Sequence, residues 1–403
     1  IIYVKKQAYK NTFKKGEIFE MNNNEIEKLA VVIGGVHHNT LGVIRGLGEK
    51  GVKTILCLHD NTDKHQTFVE ASRYVKKVYK VVCDQVFNVL IERIPSDFLS
   101  LSKIVVIPCS DFASSLLDAH YNQLSSKYYL PGISCQGEVN KMMNKQTMAE
   151  FAKQHGLLIP NTYEFSQITP ESDVFPVILK PLKSIEGSKA DIHICRNYSE
   201  WQNAMKMENN PVQVQHYIDK EIEYQLIGCS LDGGRIVIIP GATNMIRQPE
   251  NTNTGYLKYL PKELFSAEYE NSVKFLRAAR YSGLFSIEFV RDKQGKDYFM
   301  EINMRNDGNA YCVTKAGVNL PYIWYVWNTQ GRVENPVEFH KEIYSMPEYL
   351  DIMNVFHGEV SFLSWIKEFW QCKSYMLINS KDPKPFFTYF WRRLMNKIIK
   401  TLC

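Results

Sequence analysis

A β-hairpin around residue 294 constrains the fold of this chain more than any other feature. The segment GLFSIEFVRDKQGKDYFMEINMR has two arms of strand composition, and Gln294-Gly295 is the natural turn between them. A two-residue turn at that position places Glu288 directly opposite Glu301. Because side chains alternate between the two faces of a strand, the register also assigns every neighbour to a face. The predicted polar face comprises Ser286, Glu288, Val290, Phe299, Glu301 and Asn303, and the predicted core face comprises Ile287, Phe289, Met300, Ile302 and Met304.

The two opposed glutamates predict a metal site. Carboxylates directly across a strand pair repel each other unless a cation or a proton lies between them. Asn303 adds a third oxygen two residues beyond Glu301. Hard oxygen ligands favour Mg²⁺, which usually keeps several waters and bridges to substrate phosphates. The alternative is a solvated strand face, where Glu is common, but the apolar opposite face favours the metal interpretation.

Composition narrows the class of protein. A chain of 403 residues with 45% hydrophobic content can bury a large core and should hold two or three domains. Its nine cysteines are scattered singly, which predicts reduced thiols in a cytoplasmic protein and argues against both disulfides and a zinc site. No apolar stretch approaches the ~18 residues that a membrane span needs.

The net charge of +5 resides in the C-terminal tail. Residues 381–403 carry six Lys or Arg and one Asp, so the rest of the chain is balanced. Such a body is not that of a nucleic-acid-binding protein.

The first part of the chain reads as a doubly wound α/β domain. After a polar lead at 1–28, the buried-strand patterns LAVVIGG, VKTILCLHD and KIVVIPCSD predict parallel strands within 29–135. The Gly34-Gly35 turn lacks the G-x-G-x-x-G pattern, so we predict a scaffold rather than a dinucleotide site. The pair His37-His38 lies in this turn and is predicted to be structural.

Beyond residue 135 the pattern becomes α+β. Residues 140–156 predict one helix, and further helices are predicted at 198–208 and 266–281. The predicted strands are FPVILKP, DIHIC, VQVQHYI, EYQLIGCSL, RIVIIPGA and the hairpin.

The order of polar motifs in this region resembles the ATP-grasp superfamily over about residues 30–325. Those motifs are Asn144-Lys145, Lys180, Gln215-His216-Tyr217-Ile218, Glu223, Glu288 and Glu301-Ile302-Asn303-Met304-Arg305. The resemblance implies an α/β pre-ATP-grasp domain at 29–135, ATP-grasp subdomains at 136–212 and 213–330, and a helical, basic-aromatic extension at 331–403.

The resemblance also implies ATP and Mg²⁺ as ligands, with two Mg²⁺ ions expected and Mn²⁺ as an alternative metal. Glu288, Glu301 and Asn303 match the family's metal ligands, which agrees with the hairpin argument. Lys145 and Lys180 would contact phosphates, and Lys180 would also lie on the adenine side. The segment VQVQHYID resembles the adenine-reading hinge, with Gln215 where an acid is common, followed by His216, Tyr217 and Ile218. Glu223 matches the ribose-binding acid.

The phosphate loop after Lys180 is poor in glycine. Its hold on phosphates would therefore depend on polar side chains of that loop. These are Lys183, Ser184, Ser188 and Lys189.

Two arginines are implied in catalysis. Arg305 matches a residue that steadies the acyl phosphate and its transition state. Arg247 is predicted to bind a substrate carboxylate or the transferring phosphoryl group, because a guanidinium matches both. Ser286 stands where D-alanine ligases carry arginine, so the chain looks closer to the carbamoyl-phosphate-synthase-large-subunit-like and D-aspartate-ligase-like branches.

The resemblance implies an ATP-dependent ligase that joins a small-molecule carboxylate to an amine through an acyl phosphate and releases ADP and phosphate. Cell-surface polymer biosynthesis is the setting that it implies for such an enzyme. The alternatives are a bicarbonate-using enzyme like carbamoyl-phosphate synthase and a non-catalytic ATP-binding interaction protein.

The tail FFTYFWRRLMNKIIKTLC predicts an amphipathic helix. Such a helix can lie on an anionic membrane surface or dock on the protein body or a second subunit, and we predict docking. Its apolar stripe comprises Phe387, Trp391, Leu394, Met395, Ile398, Ile399 and Leu402.

Overall fold

A computed structural model describes residues 28–60, 65–98, 103–181, 192–207, 211–249, 252, 254–333 and 341–402, with side chains up to residue 395. The lead before residue 28 lies outside the described residues. So do the predicted phosphate-loop side chains Lys183, Ser184, Ser188 and Lys189, and the last three members of the tail stripe.

The N-terminal part contains a five-stranded parallel sheet in the order β3-β2-β1-β4-β5. Its strands are β1 Leu29–Gly34, β2 Lys53–His59, β3 Val75–Val81, β4 Ile104–Pro108 and β5 Tyr128–Tyr129. Its helices are α1 His38–Gly48, α2 Val86–Asn88, α3 Ile94–Asp97, α4 Asp111–Ala119 and α5 Tyr121–Leu124, with a π-helical stretch Val89–Arg93 and a 3₁₀ turn Cys83–Gln85.

This sheet is covered on both faces, as its continuous apolar strands require. Alternate residues of β1 pack on opposite sides: Val32 lies in one apolar cluster with helix residues of the later chain, and Val31 lies in another with residues of α2 to α4. The doubly wound arrangement predicted for 29–135 is therefore present.

The predicted helix over 140–156 is wrong in one respect, because it is broken. The structure has α6 Glu138–Met142 and α7 Lys145–Gln154. Asn144 has extended backbone angles, and its side-chain oxygen accepts the backbone N–H groups of Gln146 and Thr147. That is the geometry of an N-cap, so a new helix begins at Lys145.

A small antiparallel sheet follows, in the order β6-β9-β7-β8. Its strands are β6 Thr162–Tyr163, β7 Val177–Pro181, β8 His193–Cys195 and β9 Val212–His216, and it is accompanied by a 3₁₀ turn Phe165–Gln167 and by α8 Tyr198–Met207. The register places Lys180 opposite Gln213 and Ile178 opposite Gln215. Lys180 and Gln215 thereby lie on neighbouring strands.

The large sheet has the order β15-β14-β10-β12-β13-β16-β17, and β11 pairs with β10. Its strands are β10 Lys220–Leu231, β11 Ile236–Ile238, β12 Gly241–Arg247, β13 Tyr256–Pro261, β14 Gly283–Asp292, β15 Asp297–Asn303, β16 Ile343–Met346 and β17 Cys372–Tyr375. The remaining helices are α9 Ser266–Ala279, α10 Ala310–Ala316, α11 Leu320–Gln330, α12 Glu348–Asp351, α13 Met353–Phe356, α14 Phe362–Gln371 and α15 Lys384–Leu402, with a 3₁₀ turn Lys262–Phe265. The predicted strand RIVIIPGA is split between β11 and β12.

The hairpin of β14 and β15 pairs Glu288 with Glu301, as predicted. Nearer the turn the register shifts by one residue, so that Phe289 faces Phe299. The predicted polar face is therefore wrong for Phe299, which is buried in the apolar cluster beside Phe289.

The physical reason lies in two irregularities. The backbone N–H of Asp292 donates to the carbonyl of Lys296, so the loop between them has three residues rather than two, and Gly295 in it has φ 79°. A bulge at Met300 then restores the pairing of the glutamates.

The segment after residue 341 is more than the predicted helical extension. Strand β16 pairs with β13, and β17 extends the same sheet. A buried ion pair joins Asp382 to Arg45 of α1, with Nε and Oδ2 3.1 Å apart. The carboxylate of Glu348 accepts three successive backbone N–H groups, from Met376 to Ile378. The C-terminal segment is therefore integrated into the body.

The last helix docks differently from the prediction. Phe386 and Tyr389 pack against the body, where the Tyr389 ring lies 5.7 Å from Phe68. Phe387 and Trp391, which belong to the predicted docking stripe, are 65% and 64% exposed. The prediction that this stripe docks on the body is therefore wrong for its described part. None of the helices in the described part of the chain is long and apolar enough to cross a membrane.

Candidate active site

A row of polar side chains crosses the large sheet. Thr243, Gln225, Glu288 and Glu301 stand opposite one another on β12, β10, β14 and β15. The other face of these strands is apolar core. Buried polar residues are unusual in a protein interior, so this row marks the face of the sheet that lies away from the core as the candidate site.

Glu288 is the centre of this row. Its Oε1 accepts a hydrogen bond from Gln225 Nε2 at 3.2 Å and one from Asn303 Nδ2 at 3.1 Å. Burial, and then the charge of Glu301, raise the pKa of Glu288 well above its usual range. A buried carboxyl opposite a second carboxylate is stable as an anion only if a cation neutralises the pair. The geometry therefore fits the metal site that the hairpin predicts.

Two lysines from different elements approach the pair. Lys145 occupies the first turn of α7, and its Nζ lies 3.9 Å from Glu301 Oε2. Lys180 is buried on β7, where burial and the neighbouring charge of Lys145 lower its pKa to about 8. The charges of Glu301 and Glu288 act in the opposite direction. Small sheet, large sheet and α7 thus converge on one charged surface.

Arg305 forms the third side of this surface. Its Nε donates to Asp111 Oδ1 at 2.7 Å, and its NH2 donates to Asn303 Oδ1 at 2.9 Å. Although burial opposes the charge, Asp111 and Asp307 raise the pKa of Arg305. Asp111 begins α4, so the N-terminal domain holds the arginine beside Asn303.

Glu223 lies on the same face of β10 as Gln225, two residues away, and its Oε2 accepts from Lys220 Nζ at 2.6 Å. Its charge contributes to the raised pKa of Glu288. The structure therefore brings the predicted ribose acid near the glutamate pair.

The predicted hinge joins the small sheet to the large one. Gln215 is buried on β9, and its Nε2 lies 3.3 Å from Thr162 Oγ1, while its Oε1 has no hydrogen-bond partner among the described residues. The backbone N–H groups of His216 and Tyr217 donate to the carbonyls of Asn161 and Pro176. An orphaned buried acceptor is costly unless a ligand supplies a donor. Ile218 follows at the end of this hinge, half-buried.

Arg247 does not fit its predicted substrate role. Its Nε and NH2 donate to both carboxylate oxygens of Asp351, at 3.2 and 2.7 Å, and NH2 also lies 2.8 Å from Glu368 Oε2. Asp351 is fully buried. The guanidinium is thus occupied by two carboxylates of the C-terminal segment, and the structure assigns Arg247 to anchoring that segment to β12.

Sequence reasoning missed several polar partners of the site. Gln225 could have been found from its alternation with Glu223 along β10. Asp111 accepts a hydrogen bond from Arg305, and Asp307 accepts one from Ser286 Oγ. Neither aspartate was identified from sequence, because these partners are distant along the chain. His37 is exposed to solvent beside Arg305, and partial desolvation by the neighbouring protein atoms, followed by the arginine's charge, lowers its pKa to about 4.

Comparisons with known proteins show which proteins this chain is similar to. No protein-family model matches the chain. A D-alanine–D-alanine ligase of Fusobacterium nucleatum is 25% identical over 167 residues, which are 40% of this chain and 55% of that ligase. The match thus spans about half the length of this relative.

Solved structures resemble the fold over most of the chain. One is the biotin carboxylase domain of 2-oxoglutarate carboxylase from Hydrogenobacter thermophilus, solved as a dimer in complex with MgADP, ADP and bicarbonate. The match covers 78% of this chain and 73% of that chain, with TM-score 0.58 and 19% identity. The L-amino acid ligase of Bacillus licheniformis matches 79% of both chains, with TM-score 0.57 and 16% identity. The N5-carboxyaminoimidazole ribonucleotide synthetase of Thermotoga maritima matches 79% of both, with TM-score 0.53 and 16% identity.

Proposed function

We propose that this chain, which has the ATP-grasp fold, is an ATP-dependent ligase that joins a carboxylate to an amine through an acyl phosphate. The observation that carries the proposal is the opposed pair Glu288 and Glu301 with Lys145 and Lys180 beside it. Two carboxylates that need a cation, and two ammonium groups that need anions, are together complementary to a metal-bound polyphosphate.

The residues present fit both ligands. Glu288, Glu301 and Asn303 would hold Mg²⁺, which when bound neutralises charge on the phosphates and bridges them. Gln215 offers a buried acceptor at the hinge that has no partner in the described part of the chain, and an exocyclic amine of adenine is a donor that would satisfy it. Glu223 is available to a ribose hydroxyl from the same face of β10.

The proposed reaction has two displacements. An oxygen of the substrate carboxylate attacks the γ-phosphorus, the bond to the β-phosphate oxygen breaks, and ADP leaves. The amine then attacks the acyl carbon, the carbon–oxygen bond to the phosphate breaks, and phosphate leaves while the amine loses a proton to solvent. Lys145, Lys180 and Arg305 would supply fixed positive charge where negative charge accumulates. The protein's contribution is chiefly positioning and electrostatics.

An ADP-release assay over a matrix of carboxylic acids and amines tests the proposal. We expect ADP only where a matching acid and amine are both present, and loss of turnover in Glu301→Ala with the fold retained. Glu270→Gln, which alters an exposed carboxylate on α9, is the matched control.

Three results would count against the proposal. Unchanged ATPase in Glu301→Ala would refute the site assignment. ATPase that depends on bicarbonate would favour carbamoyl-phosphate-type chemistry, and ATP binding without turnover across the whole matrix would favour a nucleotide-binding interaction protein.

We propose further that α15 contacts an anionic membrane surface, which would suit a ligase in cell-surface polymer biosynthesis. Residues 384–402 include five Lys or Arg and no acid. Phe387, Trp391 and Leu394 are each more than half exposed, although other side chains of the same helix dock on the body. A basic helix with outward aromatic side chains is complementary to negatively charged headgroups.

Sedimentation with vesicles, with and without anionic lipid, tests this proposal. We expect the Phe387→Ser/Trp391→Ser variant to pellet less with anionic vesicles than the wild type, whereas Leu264→Ser, which alters an exposed apolar residue elsewhere, should pellet normally. Equal pelleting of all three proteins would refute membrane contact. Concentration-dependent dimerisation that only the double variant loses would assign the stripe to a second copy of the chain instead.

A further inference from the structure

We propose that His59, Asp60 and Cys83 form a site for one divalent cation of the zinc class at the carboxyl edge of the N-terminal sheet. One imidazole nitrogen, one carboxylate oxygen and one sulfur from these residues all lie within 4.8 Å of one another. His59 Nδ1 is 3.2 Å from Asp60 Oδ2, and Cys83 Sγ is 3.0 Å from Asp60 Oδ1. The proposal is independent of the ligase activity.

The fold explains why these side chains meet. His59 ends β2 and pairs with Val81 of the parallel neighbour β3, so the residues that follow both strands emerge at the same edge. Asp60 comes directly after β2 with φ 55°, a left-handed conformation that Asp tolerates better than most residues. Cys83 follows β3 by two residues. The turn at Asp60 therefore directs its carboxylate towards Cys83.

The donor set selects a zinc-like ion over Mg²⁺. Imidazole and thiolate are ligands of zinc, cobalt and related metals, whereas Mg²⁺ prefers oxygen alone. In a tetrahedral zinc site the ligand atoms lie about 2.0–2.3 Å from the metal, and hence roughly 3.5 Å from one another. The three ligand atoms of the cluster lie within 4.8 Å of one another, so a metal requires only small side-chain movements to reach that spacing. Three protein ligands leave a fourth position for water or a substrate atom.

A second residue orients the imidazole. His59 Nε2 lies 2.9 Å from Ser110 Oγ, so the ring is held at the nitrogen that faces away from Asp60. Metal-binding histidines usually have their second nitrogen hydrogen-bonded in this way, which fixes the tautomer and the ring orientation. With Nε2–H donating to Ser110, the lone pair of Nδ1 points into the cluster.

The site adjoins the ligase machinery. Ser110 is the N-cap of α4, and the next residue, Asp111, holds Arg305. The proposed metal site and the contact to Arg305 therefore share the N-terminus of α4. The sequence argued against zinc because its cysteines show no paired spacing, but here the ligands come from two strands and share no short motif.

Cobalt binding by the untagged full chain tests the inference. Co²⁺ reports its own ligands, because a cobalt–thiolate bond gives a charge-transfer absorption band in the near ultraviolet. On binding, the Cys83 thiol loses its proton to solvent and becomes the thiolate ligand. We expect one equivalent of Co²⁺ with that band, displaced by Zn²⁺, and loss of the band in Cys83→Ser. Cys135→Ser, at an exposed cysteine elsewhere, should retain it.

A second pair of variants separates metal binding from folding. Ser110→Ala should weaken Zn²⁺ binding about 10- to 100-fold, whereas Ser110→Thr keeps the hydroxyl and should bind like the wild type. Circular dichroism establishes that each variant is folded. Binding without the thiolate band, or a band that persists in Cys83→Ser, means an adventitious ion only and overturns the inference, as does the absence of binding. None of these readouts requires ATP turnover, so their failure is distinguishable from failure of the ligase proposal.

Discussion

Replacing Glu288 by Gln should remove a pH-dependent cost from the metal-free folded protein. Burial and Glu301 raise the pKa of Glu288, so the folded state retains a proton on this carboxyl at pH values where the unfolded chain has released it. The stability that this proton supplies is fully present below the unfolded pKa of about 4.3 and is lost as pH rises through the folded pKa. The side-chain amide in the Glu288→Gln variant has no such proton to lose.

The structure bounds the size of the effect. One titrating group changes the free energy of unfolding by at most ~1.4 kcal/mol per pH unit. Opposed side chains at about 5 Å repel by roughly 3 kcal/mol at an effective dielectric constant of 20. Lys145, 3.9 Å from Glu301, offsets part of that repulsion. We therefore expect the wild type to lose about 2–3 kcal/mol relative to Glu288→Gln between pH 5 and 8, or roughly 2–4 °C in melting temperature for a chain of this length.

Melting temperatures in EDTA across that pH range measure the difference, with Glu270→Gln as the exposed control. Saturating Mg²⁺ should stabilise the wild type more at pH 8 than at pH 5, because fewer protons compete with the metal, and should leave Glu288→Gln nearly unchanged. If the melting temperatures of the wild type and Glu288→Gln in EDTA change equally with pH, the reasoning is refuted, because the carboxyl of Glu288 then imposes no charge penalty.

Three further predictions concern the surroundings of the pair. Burial and the charge of Lys145 lower the pKa of Lys180 to about 8. The ATP affinity measured by calorimetry should therefore fall as pH rises through 8 in the wild type but not in Lys180→Arg. Identical pH profiles for the two proteins would show that Lys180 does not bind phosphate. Arg247→Met leaves Asp351 buried without its arginine partner, and we expect it to lower the free energy of unfolding by about 3–5 kcal/mol without changing the KM for ATP. The double variant Arg247→Met/Asp351→Asn should recover stability. A raised substrate KM in a stable single variant would restore the predicted substrate role. Gln215→Leu removes the buried acceptor and should weaken ATP binding by about 1–2 kcal/mol, with less discrimination against GTP. Gln215→Glu keeps an acceptor oxygen and should retain the ATP affinity. Equal ATP affinity in the wild type and both variants would exclude an adenine contact.

The sequence predicts most of the fold because hydrophobic runs identify buried strands directly. β1, β2 and β4 contain continuous apolar residues, which only a sheet covered on both faces can bury. The ATP-grasp resemblance is confirmed at the level of fold by solved structures that match about four-fifths of the chain. The roles assigned to individual site residues remain predictions.

Long-range partners were the part that no local pattern could supply. The predicted substrate role of Arg247 took no account of Asp351, 104 residues away, whose carboxylate accepts hydrogen bonds from the guanidinium. The docking face of α15 was misassigned because helical periodicity identifies an apolar stripe but not which of its flanks meets the body. Phe386 and Tyr389, beside that stripe, make the contacts.

In the hairpin, regular strand alternation predicts the correct pairing of Glu288 with Glu301, although it omits the longer turn and the bulge. Phe299 and Ile302 are three residues apart, so regular alternation would put them on opposite faces, yet both are buried in the same cluster. The bulge at Met300 makes this arrangement compatible, because one extra residue lets both rejoin the core face while Glu301 keeps the face of Glu288. The longer turn and the bulge shift the register in opposite directions and cancel at Glu288. Core packing on one side and the carboxylate pair on the other are thereby satisfied together, because the bulge redirects side chains between the two faces.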